Sequence, residues 1–198
     1  MDIQKASTVL SQRDPVLARL IAAVDLPALP PVKGPFETLV EAVVSQQVST
    51  KAAEAVFARV RRLTANQMKP EALLAADDRA LRGAGLSRQK VRYIRALAEA
   101  FAGDPERYQN LHTCDDAEVV AALTEITGIG VWTAEMFLIF HLLREDVFPV
   151  GDLGIRRAVA RYIFSENENP DKSAMIARAE IWRPYRSVAS LCLWKATD

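Results

Sequence analysis

Apolar side chains recur at three- and four-residue intervals along nearly the whole chain, and no stretch alternates apolar and polar residues convincingly enough to make a strand. This pattern predicts an all-α fold of about ten helices. Asp14-Pro15 opens a helix to about Val24, because Asp caps well and Pro is tolerated in a first turn. The text from Asp25 to Pro35, with four prolines, reads as a linker. Helices are then expected over 36–46, 50–63, 70–76 and 78–83, and Ser87 caps a longer one to about Ala102. Asp115, with Glu118 three residues on, has the form of a capping box. The helix it opens stops at a Gly-x-Gly turn. Further helices are expected over 132–143 and 153–164, around a loop near residues 146–151. Asp171 caps one to about Trp182, and Pro184 starts the last. There are no repeats and no low-complexity tract.

Composition narrows the class. With 198 residues, half of them hydrophobic, the chain can bury a sizeable core and is not a disordered protein. No apolar run approaches the roughly 20 residues needed to span a bilayer, so no membrane role is expected. The start, Met-Asp-Ile-Gln-Lys, lacks a charged-then-apolar leader, which makes a cytoplasmic location the expectation. Two cysteines are too few for a disulfide framework or a four-cysteine iron–sulfur cluster, and with only His112 and His141 beside them no structural zinc site is expected. Net charge is zero, yet residues 45–95 carry eleven Lys and Arg against four Asp and Glu. That asymmetry fits one basic face on a neutral body, and fits ordinary solvated helix faces equally well.

The chemistry concentrates in Leu123-Thr-Glu-Ile-Thr-Gly-Ile-Gly-Val-Trp-Thr-Ala134 and in Asp152, eighteen residues beyond. Gly128 and Gly130 can take backbone angles that a side chain would forbid. The helix restarting near Val131 offers unpaired N–H groups and a positive dipole end, a natural seat for a phosphate. Asp152, after Val147-Phe-Pro-Val-Gly151, adds a carboxylate; its sequence context also suits a plain N-cap.

These residues resemble the helix-hairpin-helix, Gly/Pro-rich loop and Asp superfamily of base-excision DNA glycosylases, and within it the 3-methyladenine DNA glycosylase II branch. Val43-Val-Ser-Gln-Gln-Val-Ser49, Gly85-Leu-Ser-Arg-Gln-Lys-Val-Arg-Tyr-Ile94 and Trp182-Arg-Pro-Tyr-Arg-Ser-Val-Ala189 with Trp194 extend the likeness over 36–194. A Gly-x-Gly turn alone is weak, but four motifs in order are specific. The resemblance implies one glycosylase module over 1–198. A central helical subdomain at 36–142 would hold the hairpin at 123–134, and 1–35 plus 143–198 would form a second, with the active-site cleft between them. Enterobacterial members carry a β domain before the helices; the stretch before residue 36 has no room for one, so a compact form is expected.

The resemblance also assigns roles. Asp152 would stabilise the positive charge that builds on the sugar as the N-glycosidic bond breaks. Trp132 stands where strand-nicking members carry a Schiff-base lysine, so hydrolysis without lyase activity is expected. Trp194 would stack on the flipped base, where a cationic alkylated purine gains about 0.5–2 kcal/mol over an indole face. A core tryptophan is the other reading. Met136 replaces a pocket tyrosine of that branch, which softens the wall. Gln46 and Gln47 match the wedge that fills the gap left by a flipped nucleotide, with Gln47 in place of a leucine. Amides around Gly128, Gly130 and Thr133 would hold a phosphate, and Ser87, Arg88 and Lys90 a second one. The carbonyls of Thr124, Ile126 and Gly128 would hold a structural monovalent cation; no cofactor is required. Damaged double-stranded DNA is the implied partner, met by a monomer. A non-catalytic hairpin module, or a glycosylase for uracil or hypoxanthine, remains as the alternative.

Overall fold

The computed structural model describes residues 1–26, 32–164 and 170–197, with nothing of the side chain of Thr50. Among these residues it holds thirteen α-helices, no strand, and no helix long and apolar enough to cross a membrane. The chain divides into two compact units: Met1–Pro30 with Leu138–Asp198, and Pro31–Phe137. Part of the expected linker, residues 27–31, lies outside the described residues.

The contiguous unit contains α3 (Pro35–Ser45), α4 (Thr50–Leu63), α5 (Pro70–Ala75), α6 (Asp78–Gly83), α7 (Arg88–Gly103), α8 (Pro105–Gln109), α9 (Asp116–Thr124) and most of α10 (Val131–Phe140). Its axis is α7, which packs on α3, α5, α6 and α8. The reason is visible in its sequence: Val91, Ile94, Leu97, Ala98 and Phe101 fall at helical spacing and are all buried. Ser87 caps α7, its hydroxyl accepting the Lys90 N–H at 3.2 Å. Helix α8 and the 3-10 turn at Leu111–Thr113 are additions to the sequence expectation.

The discontinuous unit holds α1 (Ile3–Arg13), α2 (Pro15–Ala23), α11 (Leu153–Ala158) with a π turn at Val159–Ile163, α12 (Lys172–Ala179) with a 3-10 turn at Glu180–Trp182, and α13 (Arg186–Lys195). Leu10, Leu17, Ile155, Val159, Trp182 and Val188 are fully buried in its core. Asp14, also fully buried, caps α2 through the Val16 N–H at 2.9 Å. Its second oxygen accepts from Arg178 at 2.6 Å and from the Trp182 indole at 2.8 Å. Burial alone would raise this carboxyl; the bonds from Trp182, Arg178 and the Val16 N–H outweigh it and hold the group below its ordinary value.

Three helix expectations change. Helix α1 was not foreseen. Helix α10 ends at Phe140 rather than 143, with Leu143 in a left-handed conformation at φ 55°. The last helix starts at Arg186, two residues after Pro184, which follows a cis peptide bond.

Candidate active site

The hairpin is built from the backbone outward. Asp115 and Glu118 form the foreseen capping box at the start of α9, with bonds of 2.8 and 2.9 Å. After Thr124 the chain turns on buried Ile126 and Ile129, with N–H to carbonyl bonds from Ile126 to Leu123 and from Ile129 to Ile126. Gly128 sits at φ 95°, and a Cβ there would lie 2.1 Å from the Tyr93 ring. Only glycine satisfies both demands. Gly130 differs from expectation: it takes no positive φ, and a Cβ there would meet nothing within 4 Å. Its carbonyl accepts the Ala134 N–H at 3.1 Å, so it caps α10.

Several residues assigned to DNA serve the hairpin itself. Gln46 donates its amide to the Gly128 carbonyl at 3.0 Å and reaches the Thr133 hydroxyl at 3.5 Å. It is a strut rather than a free wedge. Gln47 beside it is exposed and left-handed, at φ 58°. Thr133 is buried, its hydroxyl turned toward Gln46. Of the three carbonyls expected to hold a cation, that of Ile126 accepts the Ile129 N–H and that of Gly128 the Gln46 amide, using one lone pair each. Lys90 also has a partner within the protein. Its ammonium donates to the Val44 carbonyl at 2.6 Å, closing the end of α3, and burial pushes it down from its ordinary value.

The basic segment divides in the same way. Arg59 binds the Ala84 carbonyl at 2.7 Å, and Arg95 binds carbonyls of Leu73, Leu74 and Ala76. Arg88 stays exposed and, with Arg79, Arg82, Asp78 and Val91, lines a surface cavity of about 530 Å³. Trp132 and Met136 lie four residues apart on one face of α10, the tryptophan exposed and the methionine half-buried.

Asp152 lies in the other unit and is the N-cap of α11, its Oδ1 accepting the Ile155 N–H at 2.9 Å. The same oxygen accepts the Trp194 indole N–H at 2.8 Å. The loop leading to it is held from α13. Ser187, fully buried, donates to the Arg144 carbonyl at 2.7 Å and accepts the Val147 N–H at 3.0 Å. Arg186 clasps Asp146 through bonds of 2.7 and 3.1 Å. Phe140 lies nearly parallel to the Trp194 ring, with centroids 6.0 Å apart. Tyr93, Arg186 and Ser187 stand within the motif stretches noted in the sequence, but no spacing there revealed what they hold.

The sequence model of the HhH-GPD superfamily of base excision DNA repair proteins matches residues 40–184. The chain belongs to that family. It is 37% identical over 168 residues to the DNA-3-methyladenine glycosylase 1 of Schizosaccharomyces pombe, covering 83% of this chain and 73% of the relative. Among solved structures, a DNA-3-methyladenine glycosidase from Bacillus halodurans superposes with a TM-score of 0.82 at 39% identity, covering 96% of this chain and 87% of that one. The 3-methyladenine DNA glycosylase of S. pombe, solved in complex with abasic DNA, gives 0.86 at 33% identity, with 96% and 95% covered.

Proposed function

We propose that this protein is a monofunctional DNA glycosylase that hydrolyses the N-glycosidic bond of alkylated bases, of the 3-methyladenine and 7-methylguanine type, flipped out of duplex DNA. The observation that carries the reading is the Asp152 carboxylate, fixed by two N–H donors in a chain of this family. The hairpin amides at 128–133 grip a phosphate and Gln47 fills the vacated stack. As the C1′–N bond breaks, its electron pair leaves with the base, which neutralises an alkylated purine. The carboxylate offsets the charge left on the sugar, and water bonds to C1′ and releases one proton to solvent. Trp132 has no amine to form a Schiff base, so the strand is left abasic and intact. A monovalent cation sharing the hairpin carbonyls would serve the phosphate grip and no chemical step. The protein acts as a monomer.

The competing reading is a non-catalytic DNA clamp. A clamp has no use for a carboxylate braced by an indole, which favours the enzyme. The test is single-turnover release of 3-methyladenine, 7-methylguanine, hypoxanthine and uracil from duplex DNA by wild type and Asp152→Asn. Release of the methylated bases, lost by orders of magnitude in a variant that still binds DNA, is expected. Release of uracil alone overturns the substrate assignment, and no release of any base overturns the activity.

A further inference from the structure

The stacking role assigned to Trp194 uses only the face of its ring, yet the structure gives its N–H a partner of its own. The indole donates to Asp152 Oδ1 at 2.8 Å, beside the Ile155 N–H on the same oxygen. Two convergent donors pin this carboxylate oxygen, and bonds to a charged acceptor are the strong ones. The neighbouring backbone is shaped for this contact. Gly154 leaves a gap in which a Cβ would lie 3.0 Å from Asp152 Oδ1 and 3.1 Å from the Trp194 ring. The helix that carries Trp194 is itself anchored. Arg186 and Ser187 tie its first turn to residues 144–147, and the Tyr162 hydroxyl donates to the Ala196 carbonyl at 2.7 Å beyond its end. Thus α13 holds the segment 144–152 at both ends.

We infer that Trp194 is a positioning residue for Asp152, acting through its indole N–H, and that Gly154 is the gap that admits it. The inference rests on Asp152 being the reacting carboxylate. It separates the ring of Trp194 from its donor: phenylalanine keeps an aromatic face for a base but has nothing to give the carboxylate.

The test is Trp194→Phe on duplex DNA carrying 7-methylguanine. A hydrogen bond to a charged group of this kind corresponds to roughly a tenfold to hundredfold loss in the single-turnover rate. Affinity for the same duplex should stay within about twofold. The double variant with Asp152→Asn should be no slower than Asp152→Asn alone, because the indole acts through the carboxylate. Gly154→Ala keeps both partners and crowds the bond, and should show the same split between rate and affinity if Trp194→Phe fails to fold. Wild-type rates in the variant, an affinity loss that accounts for the rate loss, or a further slowing in the double variant would each overturn the inference. If Asp152→Asn itself excises normally, the reading of Asp152 fails instead, whatever Trp194→Phe does.

Discussion

Two short loops carry the candidate chemistry, and they are built on opposite plans. The hairpin turn at 125–130 is held by features that leave main-chain groups on show: a glycine at φ 95° against a tyrosine ring, two buried isoleucines, and a glutamine strut on one carbonyl. The loop at 144–152 is held by side chains. Arg186 grips Asp146, Ser187 bridges Arg144 and Val147, and Trp194 reaches Asp152. A phosphate can be bound by bare amides, so its loop needs an exact backbone. A reacting carboxylate must be aimed, so its loop needs braces. Exposed apolar residues flank both features, Val131 and Trp132 after the hairpin and Leu153 after Asp152.

Substitutions can break the two plans separately. The largest effect is expected at Gly128→Ala, where a positive φ costs about 1–2 kcal/mol and the Tyr93 ring must also move. Duplex affinity should fall at least about tenfold, measured by fluorescence anisotropy, while excision from bound DNA changes less. Next comes Ser187→Ala, which leaves the buried Val147 N–H and Arg144 carbonyl without their partner. Stability should drop by about 1–3 kcal/mol in denaturant titration, and excision should slow with affinity nearly kept. Smaller still is the contrast between two cations. Arg88→Ala should lower the slope of log affinity against log salt by roughly 0.9, the value of one phosphate contact. Lys90→Met should leave that slope alone and cost about 1 kcal/mol of stability instead, since its ammonium serves Val44. The smallest effect belongs to Gly130→Ser, within about 0.5 kcal/mol, because that cap position has room and ordinary backbone angles.

Local signals were the legible ones. The capping box at Asp115, the glycine break and the cap at Asp152 each depend on a few neighbouring residues, and each is where the sequence places it. Helix α1 escaped because its text, Ile-Gln-Lys-Ala-Ser-Thr-Val-Leu-Ser-Gln-Arg, is mostly polar; packing of Ala6 and Leu10 into the core decides it. The roles of Lys90 and Gln46 escaped for a different reason. Their partners lie 46 and 82 residues away, and a cation or an amide in a helical text gives no sign of which carbonyl it will meet. Ser187 is the same case, a small polar residue in an apolar helix whose value lies in a loop 40 residues earlier.

Asp14 carries a consequence for how the molecule is made. Its partners Arg178 and Trp182 are 164 and 168 residues further along, so the first helices have no answer for this charge until most of the chain exists. The contiguous unit ends at Phe137 and can mature on the ribosome while Leu10 and Leu17 still lack their neighbours. The hairpin at 123–134 can therefore be finished first, and the Asp152 carboxylate meets its Trp194 partner last.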